Sequence, residues 1–343
     1  MNKLPVIDFH HHGRPASFWA AMAKRGFTQF GGRAFTPPSD PDATLAMMDR
    51  NAISQVIISA PDADHAFADR GFGIEQARNI NEHFAGMVRR WPDRFGAFVT
   101  LPMPHVDASL DEIKYGLDTL GFDGVLLLSS YQGRYPGSPE FDPILEELNR
   151  RAAFVFIHPS IPPGMDLLGV DIPCFVLEFV NDTTRCITHF LMNDISARFP
   201  RIRFLFGHAG GNAPYLAARL ALVDLFARAD NKLSIEEARA KTLAGLRGFY
   251  YDTALSAVDP VFSNLRDTVG LDRVLFGSDA PQAPEIFVAD TARGLRESKV
   301  LSEAEKFAIA RGTGQALLPR MFGPKGTVTL ANARRQPAAA QTA

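Results

Sequence analysis

Asp8-Phe9-His10-His11-His12 follows the apolar run Leu4-Pro5-Val6-Ile7 and reads as the end of an opening β-strand. Side chains alternate faces along an extended chain, so His10 and His12 point one way and His11 the other. Two neutral imidazoles side by side at a strand end can clamp one borderline divalent ion such as zinc. Asp8 is placed to orient an imidazole from behind. A His-x-His pair alone is equally a solvated turn or a core pair, so the rest of the chain has to decide.

Outward from that strand, short apolar runs alternate with helical patterns. Val56-Ile57-Ile58, Phe95 to Leu101, Gly124 to Leu128, Phe154 to Ile157, Ile202 to Phe206, Phe249 to Asp252 and Val274 to Phe276 read as further strands. Helices are expected near Phe18–Met22, after Asp40-Pro41 as cap and first residue, and over 74–90, 108–120, 141–152, 175–198, 216–220 and 261–269. Continuous apolar runs of this kind suit parallel strands buried on both faces. Eight such units predict an α/β fold, a (β/α)8 TIM barrel, whose active site lies at the C-terminal ends of its strands. A doubly wound sheet is the alternative, but no Gly-x-Gly-x-x-Gly loop follows the first strand. Residues 1–322 are read as one catalytic barrel, with a lid insertion at about 13–41. Residues 323–343 lose apolar periodicity and are expected to form an arm or a disordered tail.

The chain has 343 residues, 46% of them hydrophobic, with 36 basic and 38 acidic residues and a formal net charge of −2. That balance leaves no electrostatic footprint for nucleic acid or an anionic membrane. No apolar run is long enough to span a bilayer, and Met1-Asn2-Lys3 leads straight into a strand, so a soluble, cytoplasmic protein is expected. Cys174 and Cys186, too few for a disulfide scaffold, read as reduced thiols.

With strand ends placed, His10 and His12, His158, His208 and Asp279 all fall where a barrel gathers its functional groups. Together they predict a mononuclear metal site. His65, His83, His105 and His189 fall on loops or helices and suit solvated or capping roles.

Asp8-Phe9-His10-His11-His12, Phe156-Ile157-His158-Pro159, Phe206-Gly207-His208-Ala209-Gly210-Gly211 and Gly277-Ser278-Asp279-Ala280-Pro281 together resemble the amidohydrolase superfamily, in its aminocarboxymuconate-semialdehyde decarboxylase-like branch. The resemblance runs from about Val6 to Met321. Phe141-Asp142-Pro143 and Leu177-Glu178-Phe179 are similar to decarboxylases of 6-methylsalicylate and related aromatic acids. It implies that His10, His12, His158 and Asp279 hold one divalent ion, usually zinc and in some members manganese, and that His208 is the acid/base residue. Leu126-Leu127-Leu128-Ser129-Ser130 lacks the lysine of the two-metal, hydrolytic branches. Arg219 stands where family members carry an arginine that reaches a neighbouring subunit's substrate carboxylate, which implies a homodimer; a helix-face salt bridge is the other reading. Arg33 is the nearest candidate for a second, lid arginine, although its spacing to Asp40-Pro41 departs from the pattern.

The implied function is non-oxidative decarboxylation of an ortho-hydroxy aromatic acid of the salicylate or 6-methylsalicylate type. The metal would chelate the substrate, with Asp279 or a water activated by His208 delivering the proton. The same ligands could instead serve a hydrolase of lactones, esters or amides, or a hydratase. Phe27, Phe30, Phe35, Tyr131, Tyr135 and Trp19 lie in the loops after the first and fourth strands and are candidates for an aromatic pocket, with Phe35 and Tyr131 taken as substrate contacts.

Overall fold

Each apolar run becomes a strand of one parallel sheet: β1 (Val6–His12), β2 (Ile53–Ser59), β3 (Phe95–Val99), β4 (Gly124–Leu128), β5 (Phe154–His158), β6 (Arg203–Phe206), β7 (Tyr250–Asp252) and β8 (Val274–Leu275). They pair in chain order. The chain segment after β8 then returns to β1: Phe9 N donates to Phe276 O (2.9 Å), Asp279 N to His10 O (2.8 Å) and His12 N to Ala280 O (2.7 Å). That seam closes the (β/α)8 barrel. The computed structural model describes residues 4–27, 29–30, 33–34, 38–61, 65–165, 172–227 and 232–322. The expected tail at 323–343 lies outside them.

Ile7, Phe9, Ile57, Phe98, Leu126, Phe154, Phe156, Leu205 and Leu275 fill the barrel, and Leu317 and Leu318 pack beneath them. Phe9 meets Phe154 edge-on at 5.7 Å between centroids. Full burial of such side chains contributes roughly 1.5–3 kcal/mol each. Arg320 clamps the floor, its guanidinium on Asp123 at 3.0 Å and on Phe95 O at 3.1 Å.

β1 departs from simple alternation. Asp8 pairs with Val56 and His11 with Ile58, so three steps on β1 oppose two on β2. The extra residue is a β-bulge. Through it Phe9 stays among the interior phenylalanines while the next ring, His10, also faces inward, 4.8 Å from Phe156. The His10 ring has room because two barrel-lining positions are glycines. A Cβ at Gly277 would lie 2.8 Å from His10 Cβ, and one at Gly207 3.1 Å from His10 Cε1.

The helices follow the expected order with shifted ends. α1 (Ala16–Lys24) buries Phe18, Trp19 and Met22, so the first part of the lid segment is packed chain. α2 (Pro41–Asn51) starts with Asp40 accepting from Asp42 N at 3.0 Å. α3 (Arg70–Arg90) begins four residues earlier than its apolar pattern because Asp69 caps it through Phe72 N. After α4 (Val106–Lys114) and α5 (Asp142–Arg150), the helix expected over 175–198 is two pieces, α6 (Cys174–Met192) and Ile195–Arg198, separated by Asp194 in the left-handed region (φ 48°). No described helix is long and apolar enough to cross a membrane.

Candidate metal centre

His10 and His12 end β1, His158 ends β5, and Asp279 lies on the seam, its backbone N–H held by His10 O. One ligand atom from each of these four buried residues lies within 4.8 Å of all the others. Asp279 (φ 64°), His208 (φ 55°) and Ala209 (φ 56°) adopt left-handed backbone, which side-chain-bearing residues adopt at a cost and which clusters at functional sites.

Every imidazole of the set is tied at its outer nitrogen. His10 Nδ1 donates to Asp252 Oδ2 (2.8 Å). His158 Nδ1 donates to Pro159 O (2.7 Å). His12 Nδ1 lies 3.0 Å from Ser59 Oγ, whose own proton goes to His11 O at 3.2 Å, so the serine oxygen accepts. With the proton on Nδ1, each Nε2 turns a lone pair inward. His12 Nε2 then faces Asp279 Oδ1 at 2.9 Å, and His10 Nε2 sits 3.4 Å from the same oxygen without a hydrogen bond. Lone pairs aimed at a carboxylate oxygen call for a positive charge among them, a proton or a metal ion. Three imidazole nitrogens and one carboxylate form a donor set for one divalent ion, and the residues fit it.

Where a proton supplies that positive charge, His10 takes it. Burial opposes charge on His10, but the Asp252 and Asp279 carboxylates outweigh it and hold that imidazole at about 10. Burial, with the His10 and Arg14 charges, pushes His12 down to about 3, and burial lowers His158 as well. Burial alone would raise Asp279, yet the surrounding imidazoles hold it well below the usual carboxylate range. An anionic carboxylate among buried rings is what a bound cation needs.

His208 stands beside the set. Its Nε2 is 3.5 Å from Asp279 Oδ2, its ring 4.8 Å from that of His10, and its Nδ1 is buried without a hydrogen-bond partner. Asp252 Oδ1 fixes its backbone N–H at 2.9 Å. One aspartate therefore aims both His10 and His208. Sequence reading missed it, and its sole signal is its place at the end of the Phe249–Asp252 run. Asp8 behaves differently from expectation: it approaches the imidazole of His11 (3.3 Å) and holds Ser278 (2.6 Å), touching His10 only through the backbone N–H (3.1 Å). Arg14, also missed, is a buried cation just past His12.

Of the expected substrate contacts, Tyr131 lines a small pocket of about 20 Å³ with Ala60, Phe67, Thr100, Met103 and Leu128, beside the ends of β2 to β4. Arg219 is exposed on the short helix Ala217–Leu220, outside the cluster. Phe35 lies outside the described residues, and of Arg33 only the backbone, in a two-residue strand, is described. Trp19 packs against Phe18 in α1, and Tyr135 bonds to Asp182 (3.0 Å).

Comparison with known proteins points the same way. The sequence profile of the amidohydrolase family matches residues 7–320. The 6-methylsalicylic acid decarboxylase of Penicillium expansum is 32% identical over 92% of this chain and 97% of its own length. A crystal structure of an amidohydrolase II superposes with a TM-score of 0.82 at 25% identity, covering 91% of this chain and 99% of that one. A dihydroxybenzoic acid decarboxylase from Polaromonas with bound manganese and 2-nitroresorcinol shares the fold, with a TM-score of 0.75 at 20% identity over 92% of this chain and 96% of that one. The chain belongs to the amidohydrolase family.

Proposed function

We propose that the protein is a metal-dependent carboxy-lyase that removes CO₂ from an ortho-hydroxy aromatic acid of the salicylate or 6-methylsalicylate type. The observation that carries this reading is the buried set His10, His12, His158 and Asp279, the one such set among the described residues, with His208 against it. The end of β4 offers no ligand for a second ion, since Ser129 and Ser130 are engaged with Asp182. Zinc is the ion we expect from three imidazoles and one carboxylate, and manganese, present in the Polaromonas structure, is the alternative.

A divalent ion bound there supplies Lewis-acid charge for the phenolate and carboxylate oxygens of the substrate. The chain's own residues handle the proton. Decarboxylation needs one proton delivered to the ring carbon that bears the carboxylate; the bond to CO₂ then breaks and its electron pair restores the aromatic ring. Asp279 Oδ2 and His208 Nε2, 3.5 Å apart, form the pair we assign to hold and deliver that proton. The pocket beside Tyr131 has carbon walls from Phe67, Met103 and Leu128, and at about 20 Å³ we place only a methyl-sized substituent of the ring there. In the chain Arg219 falls between Tyr215 and Phe226, two strongly exposed aromatics of the kind a second protomer would cover. In this reading a homodimer carries Arg219 to the partner's substrate.

The test is mass spectrometry of products from metal-replete enzyme with a panel of ortho-hydroxybenzoates, lactones and esters. The expected product is lighter than an ortho-hydroxybenzoate by CO₂; a product heavier than its substrate by water would move the assignment to hydrolysis or hydration.

A further inference from the structure

His158 differs from the other two imidazoles in what ties its Nδ1. His10 leans on a carboxylate and His12 on a serine, but His158 leans on the carbonyl of its own neighbour, Pro159. A carbonyl holds a ring only as firmly as its own peptide is held. The next residue, Ser160, is where the chain is clamped. Ser160 N donates to Ser129 Oγ (2.9 Å), and Ser160 Oγ donates to Ser130 O (2.9 Å) and lies 3.4 Å from Asp182 Oδ2. Ser129 Oγ donates to Asp182 Oδ2, leaving a lone pair for Ser160 N. Ser130 Oγ donates to Asp182 Oδ2 at 3.0 Å and Tyr135 OH to Asp182 Oδ1 at 3.0 Å. Asp182 is fully buried on α6, with its donors at the barrel mouth. Burying an aspartate under hydroxyls is costly and is kept here where the end of β4, the turn after β5 and α6 converge.

We infer that Asp182 is a positioning residue for the metal centre: through Ser129 and Ser160 it fixes the Pro159 carbonyl, and with it the Nδ1–H tautomer and aim of His158. The inference rests on the reading that His158 holds the ion. Partners of metal-bound histidines typically change metal affinity by about 10–100-fold when removed.

The experiment measures Zn²⁺ affinity of the folded chain by competition with a chromophoric chelator, alongside thermal unfolding of the metal-free protein. Asp182→Ala is expected to weaken Zn²⁺ binding about 10–100-fold, and Asp182→Asn, which keeps an acceptor oxygen for Ser129 and Ser130, to recover most of it. Should Asp182→Ala not fold, Ser129→Ala, which removes the link to Ser160 N, decides in its place with a weakening in the same direction. Arg320→Ala, at the opposite end of the barrel, is the control: it lowers the unfolding temperature and leaves Zn²⁺ affinity unchanged. Wild-type affinity in Asp182→Ala or Ser129→Ala overturns the inference, as does a loss of affinity in Arg320→Ala proportional to its loss of stability. His158→Ala separates the two readings: if it retains Zn²⁺ the metal centre is wrongly assigned, and if it alone loses Zn²⁺ only the role of Asp182 fails.

Discussion

The two ends of the barrel solve opposite problems with the same strands. At the floor, Phe9, Phe98 and Phe154 interlock above Leu317 and Leu318, and the buried ion pair of Arg320 with Asp123 is fully matched. At the mouth, four titratable side chains are buried within 4.8 Å, two residues of the site have left-handed backbone, and a carboxylate faces lone pairs. The floor follows ordinary packing rules. The mouth breaks them, and the breaks coincide with the groups that would bind an ion and move a proton.

Substitutions at each end should therefore fail differently. The largest effect is expected for His158→Ala at the mouth: metal content by elemental analysis falls to background and turnover with it. His208→Asn should keep full metal content while kcat falls by about 10²–10⁴-fold; equal metal loss in both variants would erase the distinction between ligand and acid/base. Leu318→Ala at the floor should cost about 2–5 kcal/mol in denaturant unfolding and leave metal content and kcat at 25 °C intact. A floor variant that lost metal before it lost structure would show that the two ends are not separable. Asp252→Asn should give the smallest change at the mouth, about 10–100-fold weaker metal binding, with a further drop in kcat because the same carboxylate also holds His208.

Much of this was readable in the chain. His10, His12, His158, His208 and Asp279 each sit next to an apolar run, so local pattern alone puts them at strand ends, and the barrel supplies the meeting place. Asp252 was not readable because its partner is 242 residues away and a strand-end aspartate has no local mark of its duty. The β1 bulge escaped for a related reason: it is a property of pairing with β2, whereas the sequence of β1 shows only its own alternation. The break before Ile195 is likewise invisible to periodicity, since Asp194 reverses the backbone where the apolar pattern continues.

The seam between β8 and β1 bears on how the protein comes into being. His12 and Asp279 are 267 residues apart, and the backbone bond that carries Asp279 into place is itself one that closes the barrel. During synthesis, three imidazoles are available long before the carboxylate, and the proposed ligand set is complete only once the chain after the final strand has docked on the first. Contacts of such span are the slowest to form. On the proposed reading, capture of an ion would reward the finished barrel over every partly assembled one, and metal supply would act on the last step of maturation as well as on turnover.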